Sequence, residues 1–434
     1  MMLKLYFKFF SLNIVFSLFL LFFLFFLNSG NYEYYLCNQL TKISFLNYSM
    51  LIPFSCDAEL YIFGIENFNE IISFDYNYQE RPIYILFLKL ISIIPDLFFK
   101  DIIAKYFASF LLLHLIVLSF VNLITYKIYE YKLSLYNLFF VNLLIVLNPI
   151  FKFGLFDSAH QTLTILSFFL CVYFMKLNNL ENKKIINWSF LLGCLYLSNT
   201  TFAISFLFIF FKDFDLKKVT FNFYKGIAFI IPYFSWNIYI YSSGYIPYNS
   251  AIERWYQFKW LPAHIINGYE NVKYSINQSS YDNSEFYCMS LPENFICYFK
   301  DFINSIQYLS VPLLFVLLYL LKKSFFKNEI IVKNLAFVFI THWCFWSLIG
   351  WYPPLRFNLY SLAPFLTLIS IFIFLKEKRQ YFKFLFLIGN TAYFLYLNHW
   401  NYVDVVKFNN SIYFSFCIFA ISSIVMFKYR NQPV

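Results

Sequence analysis

Two carboxylates in one short stretch, Asp57 and Glu59, are the residues best suited to chemistry in this sequence. They follow the first long apolar run, which ends near residue 27, in a chain of which only 13% of the residues are charged. Such a pair can bind a divalent cation such as Mg²⁺ or Mn²⁺ through its oxygens, or it can take a proton from a substrate. The alternative is a polar loop that only contacts water, so the surroundings of the pair decide its role.

Composition predicts that those surroundings are membranous. Of the 434 residues, 61% are hydrophobic, and 63 are Phe and 38 are Tyr. A water-soluble domain cannot bury that much apolar surface, because burial is limited by the ratio of surface to volume. Many separate runs approach the length of roughly 20 residues that crosses a bilayer. We predict an all-α, polytopic membrane protein with about 11–13 transmembrane helices and helices in its external loops, forming one membrane domain over residues 1–434.

The charges predict the orientation of the chain. The net charge of +10 comes from short Lys clusters between apolar runs, the pattern of cytoplasmic loops, so nucleic acid is excluded as a partner. Lys4 and Lys8 precede a run too long for a cleaved signal peptide, and we interpret it as a retained anchor. We expect the inner or plasma membrane of a bacterium, with both termini in the cytoplasm.

This orientation divides the chain into spans and external loops. The first external loop covers residues 28–103, and Pro82, Pro95 and Asp96 favour an interfacial or re-entrant helix over 82–99 within it. The second large loop covers residues 244–305. A hairpin of two short helices is predicted over 186–212, broken near 198–201. Separately, the chain is predicted to cross the membrane once, net, between 81 and 126. Further spans are predicted near 134–150, 160–176, 222–243, 306–322, 332–350, 357–375, 381–397 and 411–427.

The unusual polar residues collect on the external side. Only five Arg occur in the chain, and Arg81, Arg254 and Arg356 are external, against the usual bias. A guanidinium matches the geometry of phosphate, although each Arg can instead pair with a loop carboxylate. A turn between two spans adds Asp157 to the candidate catalytic residues. The candidates for binding substrate or phosphate are Arg81, Lys152, His160, Arg254 and Arg356.

Other chemistries lack their motifs. The sequence has no GxxxxGK[ST] loop, GxSxG, HExxH or CxxC. The five His are scattered, which argues against a histidine zinc site. His114 and His342 fall inside predicted spans, where we expect them to form hydrogen bonds between helices.

Five short motifs follow one another along residues 5–375: the acid pair, residues 79–84 (Gln-Glu-Arg-Pro-Ile-Tyr), Asn148-Pro149 with Asp157, residues 230–236 (Ile-Ile-Pro-Tyr-Phe-Ser-Trp) with Gly244, and residues 356–364. In this order they resemble the GT-C superfamily of membrane glycosyltransferases, which includes oligosaccharyltransferases, protein O-mannosyltransferases and lipid A aminoarabinose transferases. The acid pair differs from the adjacent doublets common in that superfamily, because Ala58 separates the two carboxylates.

The resemblance implies an inverting transfer on the outer face of the membrane. A sugar would pass from a polyprenyl-phosphate lipid donor to a hydroxyl or amine of a lipid, glycan or protein acceptor. Asp57 is then the base, and Glu59 orients it or binds the metal. Asp157, in the turn between the spans at 134–150 and 160–176, is their partner. Positive charge on the departing phosphate would come from Arg81, Lys152, Arg356 or the cation.

Two other functions stay open at this point. An O-antigen-type polysaccharide polymerase or ligase is also polytopic, and Arg254 and His264 in the 244–305 loop would then carry its chemistry. A non-enzymatic flippase or transporter of lipid-linked sugars is the second alternative. It gives no reason for carboxylates to collect outside the membrane instead of along a central pathway.

The eight cysteines divide along the same topology. Four lie in predicted spans, where a thiol packs as a small apolar group: Cys171, Cys194, Cys344 and Cys417. The other four form one even pair in each large external loop, compatible with disulfides on an oxidising side of the membrane: Cys37 with Cys56, and Cys288 with Cys297.

Thiol labelling tests this pairing. We expect a membrane-impermeant maleimide to modify the external cysteines of the protein in intact cells only after reduction, because a disulfide sulfur does not react with it. Modification of two external thiols without reductant would contradict the pairing.

Overall fold

The computed structural model describes residues 2–27, 41–45, 48–52, 58–73, 79–129, 142, 144–145, 161–177, 182–212, 219–248, 302, 313, 316, 330–349, 354–383, 385–386 and 388–389. Their regular structure is helical, as predicted, with one addition. Strands β1 (Thr41–Phe45) and β2 (Tyr48–Ile52) form an antiparallel hairpin in which Thr41 pairs with Ile52 and Phe45 with Tyr48.

The helices follow in chain order. They are α1 (Met2–Leu27), α2 (Ala58–Glu66), a 3-10 helix η1 (Phe68–Ser73), α3 (Pro82–Asp96), α4 (Ile102–Ile128), α5 (Gln161–Lys176), α6 (Asn182–Tyr196), α7 (Phe202–Lys212), α8 (Val219–Ser242), α9 (Ile330–Ile349) and α10 (Pro354–Lys376).

Several predicted helices agree with these bounds. Helices α5, α8, α9 and α10 match the spans predicted from residues 160, 222, 332 and 357 onward. Most of the spans predicted near 134–150 and 306–322, and all of that near 411–427, lie outside the described residues. Among the described residues, one segment, Ala104–Ile128 of α4, is both long and apolar enough to cross a membrane. Shorter apolar helices cover Thr162–Lys176, Phe202–Phe211, Ile330–Phe345 and Tyr360–Lys376.

Helices α4 and α5 lie side by side in the core and end together. The Lys176 ammonium at the end of α5 donates to the carbonyl oxygens of Lys127 (3.1 Å) and Ile128 (2.7 Å) at the end of α4. A cation at this position satisfies terminal carbonyls and opposes the negative end of the helix dipole. The contact agrees with a topology in which Lys127 and Lys176 are on one side of the protein.

Helices α9 and α10 form an antiparallel pair beside α5. The ring of Phe339 stacks on that of Phe365 at 4.8 Å, and His342 Nδ1 lies 2.9 Å from Ser361 Oγ. His342 is fully buried and also packs edge-on against Phe168 of α5. The prediction of an interhelical hydrogen bond at His342 is confirmed.

The break between α6 and α7 falls where the sequence predicts it. The Asn199 side-chain oxygen Oδ1 accepts hydrogen bonds from the backbone N–H (2.9 Å) and the hydroxyl (2.7 Å) of Thr201, which closes a turn. The Asn199 amide then donates to Thr164 Oγ1 of α5 at 3.0 Å. Farther along, Ser167 of α5 and Ser205 of α7 share a buried hydrogen bond of 2.8 Å. These bonds hold α7 parallel to α5.

Helix α8 packs closely against α6 because a glycine faces it. A Cβ atom at Gly193 would lie 2.2 Å from the carbonyl oxygen of Phe229, too close for any side chain. The Phe229 ring stacks on that of Phe206 of α7, with centroids 4.1 Å apart. Small residues allow such close backbone approach between apolar helices, so α6, α7 and α8 form one packed unit.

We expect Gly193→Ala to destabilise the protein by about 1–3 kcal/mol, because the added carbon forces α6 and α8 apart. Thermal unfolding of the purified protein in detergent measures the loss. Gly226→Ala in α8 is the matched control, because its added Cβ meets nothing within 4 Å. Equal melting temperatures for the two variants would contradict the close approach.

Candidate functional site

Of the eight candidate residues predicted from the sequence, the structure describes the side chain of one, Arg81. Glu59 lies in the first turn of α2 and Arg356 in the first turn of α10. For these two residues the structure describes the backbone but not the side chain. The remaining candidates lie outside the described residues: Asp57, Lys152, Asp157, His160 and Arg254.

Arg81 is held between two helices. It directly precedes Pro82, which begins α3 as proline commonly does. Its Nη1 donates a hydrogen bond of 2.6 Å to the hydroxyl of Tyr61 in α2. Arg81 is 9% exposed and Tyr61 is 3% exposed, so this charge-assisted bond is made away from water, where it is stronger than at a surface. It ties the start of α3 to the helix that begins at Ala58.

Two further rings continue the contact from Tyr61 toward α4. The Tyr61 ring meets the Tyr84 ring edge to face at 5.2 Å, and the Tyr84 hydroxyl lies 3.2 Å from Nε2 of His114 in α4. Tyr84 and His114 are buried. We call these four residues, Tyr61, Arg81, Tyr84 and His114, the arginine–tyrosine cluster. The predicted interhelical hydrogen bond of His114 is confirmed within it.

Helix α3 runs antiparallel to the first half of α4. Tyr84 near the start of α3 contacts His114, whereas Asp96 at its end forms an ion pair of 2.7 Å with Lys105. From Lys105 to His114 the helix rises by roughly 14 Å, at 1.5 Å per residue. The arginine–tyrosine cluster is therefore deep along α4, and the ion pair is near its beginning.

Helix α2 runs in the same direction as α3. Tyr61 lies beside Tyr84, while Glu66 at the end of α2 accepts a hydrogen bond of 3.2 Å from the hydroxyl of Tyr106, near the start of α4. The first turn of α2, which contains Glu59, consequently lies at the same end as Arg81. Two parts of the first loop that are separate in the sequence, the first turn of α2 and the Arg-Pro element, are therefore neighbours.

Gln79 joins the first loop to a distant part of the chain. Its side-chain amide donates to the Ile72 carbonyl at 2.8 Å, and its own backbone carbonyl accepts from Trp236 Nε1 of α8 at 2.7 Å. Its side-chain oxygen accepts from the backbone N–H of Tyr248. The beginning of the 244–305 loop thus meets the first loop two residues before Arg81.

Five residues of the site were not predicted from the sequence: Tyr61, Gln79, Tyr84, Tyr106 and Trp236. Gln79 and Tyr84 belong to the quoted Arg-Pro motif, and Trp236 ends another motif, so their place in the sequence was the available signal. Tyr61 and Tyr106 carry no such signal in a chain with 38 tyrosines.

A divalent cation stays a prediction. The described side chains contain no group of three or more His, Cys, Asp or Glu suited to a metal ion. The two predicted ligands, Asp57 and Glu59, have side chains outside that set, so their fit to Mg²⁺ or Mn²⁺ rests on the chemistry of carboxylate oxygens alone.

No protein-family model, characterised protein or solved structure matches the chain.

Tyr61→Phe tests the contact that defines the site. We expect a loss of about 1–3 kcal/mol in the free energy of unfolding, because the guanidinium loses a buried acceptor. Denaturant unfolding in detergent measures it. Tyr241→Phe at the exposed end of α8 (76% exposed) is the control and is expected to change little. A Tyr61 variant as stable as the control would show that the hydrogen bond contributes nothing.

Proposed function

We propose that this chain is a membrane glycosyltransferase that moves a sugar from a polyprenyl-phosphate donor to a lipid, glycan or protein acceptor on the external face of a bacterial inner or plasma membrane. The observation that carries the proposal is the position of Arg81. Its hydrogen bond to Tyr61 holds it at the end of α3 beside which the first turn of α2 lies. A cation is thereby placed beside the segment that follows Asp57. Inverting displacement needs this combination of a carboxylate and a positive charge.

In the proposed reaction Asp57 takes the proton of the acceptor hydroxyl or amine. The acceptor oxygen or nitrogen then bonds to the anomeric carbon of the sugar, and the bond from that carbon to the phosphate oxygen breaks. Negative charge builds on the departing lipid phosphate, and Arg81, Lys152 or Arg356 neutralises it. A cation on Asp57 and Glu59 would add to the same stabilisation when bound.

The membrane location is part of the proposal, with about 11–13 transmembrane helices in total. Its support is the apolar segment Ala104–Ile128 together with the shorter apolar helices, of which Thr162–Lys176 packs against that segment. The ends of α4 and α5 carry Lys127 and Lys176 in direct contact. The beginning of α4, with the first loop beside it, is then at the external end.

The double variant Asp57→Asn with Glu59→Gln tests the function. We expect the transfer rate from a synthetic polyprenyl-phosphate sugar to fall by at least about 10²-fold, because no base remains to deprotonate the acceptor. Radiolabelled sugar transfer by the purified protein in proteoliposomes measures it. Glu70→Gln in η1 removes an exposed carboxylate of the same loop and is expected to leave the rate unchanged.

The result that would overturn the assignment is full activity of the double variant. Loss of activity in Arg254→Ala with His264→Ala, while the double variant stays active, would instead favour the polymerase or ligase. Translocation of the lipid-linked sugar without any bond formation would favour the flippase.

A further inference from the structure

Three asparagines meet in the interior of the described bundle. They are Asn13 of α1, Asn122 of α4 and Asn142, and each is 0% exposed. A buried amide group that lacks a hydrogen-bond partner costs free energy, because water no longer solvates it. The hydrogen bonds of all three side chains therefore have to be accounted for.

The three side-chain amides form a connected series of hydrogen bonds. Asn122 Nδ2 donates one hydrogen to Asn13 Oδ1 at 3.1 Å and the other to Asn142 Oδ1. Asn13 Nδ2 in turn donates to Ser119 Oγ at 2.9 Å, and the Ser119 hydroxyl donates to the Leu115 carbonyl at 2.6 Å. Each of these bonds has a defined direction, so the donors and acceptors can be counted.

The count leaves one acceptor and one donor unused. An asparagine amide offers two N–H hydrogens and one oxygen. Asn122 uses both of its hydrogens, but its Oδ1 accepts no hydrogen bond from a described residue, and Asn142 Nδ2 donates none to a described residue. The oxygen and nitrogen of one amide are about 2.3 Å apart, so the two unused atoms flank the existing contact between Asn122 and Asn142.

We infer that one buried water molecule bridges Asn122 and Asn142, donating a hydrogen to Asn122 Oδ1 and accepting one from Asn142 Nδ2. Water suits this site because it donates and accepts at once, and buried waters commonly satisfy polar groups that the protein leaves unpaired. A sodium ion suits the site less well. A hard cation needs oxygen atoms around it, whereas the Asn142 amide presents N–H hydrogens.

The water bridge would join two segments that are distant in the sequence. Asn122 belongs to α4, and Asn142 belongs to the predicted span 134–150. The two amides would be linked twice, once directly and once through the water, which fixes the register of that span against α4. Lys152 and Asp157 follow the same span, so the bridge would also influence where these two residues lie, whatever reaction the protein catalyses.

A crystal structure of the full chain at about 2 Å resolution tests the inference, because hydrogen-bonded water is visible in such a map. We expect density for one water within about 3.2 Å of both Asn122 Oδ1 and Asn142 Nδ2. In Asn142→Leu that density is expected to disappear, because the water keeps only one of its two partners. The absence of such density in the unchanged protein would overturn the inference, and this result does not depend on the folding of the variant.

Thermal unfolding distinguishes a water from a bound ion. The melting temperature of the purified protein in detergent is measured at equal concentrations of NaCl, KCl and choline chloride. We expect the three values to agree, because water is present in every buffer. A higher melting temperature in NaCl that Asn142→Leu abolishes would identify a sodium site in place of the water and would also overturn the inference.

Discussion

The antiparallel pairing of α3 with α4 is the constraint on which the candidate site depends. Two polar contacts, Tyr84 with His114 and Asp96 with Lys105, lie near opposite ends of the pair. Since a helix rises by a fixed 1.5 Å per residue, two such contacts leave no freedom to slide. This register fixes the position of Arg81, because Arg81 is the last residue before α3. The position of α2 is fixed in turn, because Tyr61 of α2 accepts the hydrogen bond of Arg81.

The same principle recurs through the described bundle. Apolar packing alone distinguishes poorly among registers when nearly every surface is Phe, Leu or Ile, whereas a buried polar group must find a partner. Asn13 of α1 donates to Ser119 of α4 at 2.9 Å, and Asn199 donates to Thr164 of α5 at 3.0 Å. Each bond joins two different segments of the chain, so a small number of side chains specifies an arrangement that the aromatic core then fills.

Local features of the fold were predictable, and long-range pairings were not. Pro82 predicts the start of α3, and the polar run at 198–201 predicts the turn between α6 and α7, because both effects act within a few residues. The β1–β2 hairpin was missed because only β1 alternates polar and apolar residues, over five positions, and its loop was interpreted from charge alone. Nothing in the residue types indicates which of 38 tyrosines meets Arg81, since that choice depends on the path of the chain between them. Glu59 and Arg81 were each selected, but the position of the first turn of α2 at the Arg81 end of α3 became visible only in three dimensions.

The hydrogen bonds of Gln79 have a consequence for the order in which parts of the protein assemble. Its partner Ile72 is nearby, but Tyr248 is 169 residues later in the chain. At a synthesis rate of about 5–20 residues per second, that distance takes roughly 8–34 s to emerge from the ribosome. The segment before Arg81 therefore reaches its final hydrogen bonding only after α8 has been made. Assembly of the first loop is a late step in biogenesis, although the loop itself is among the first segments synthesised.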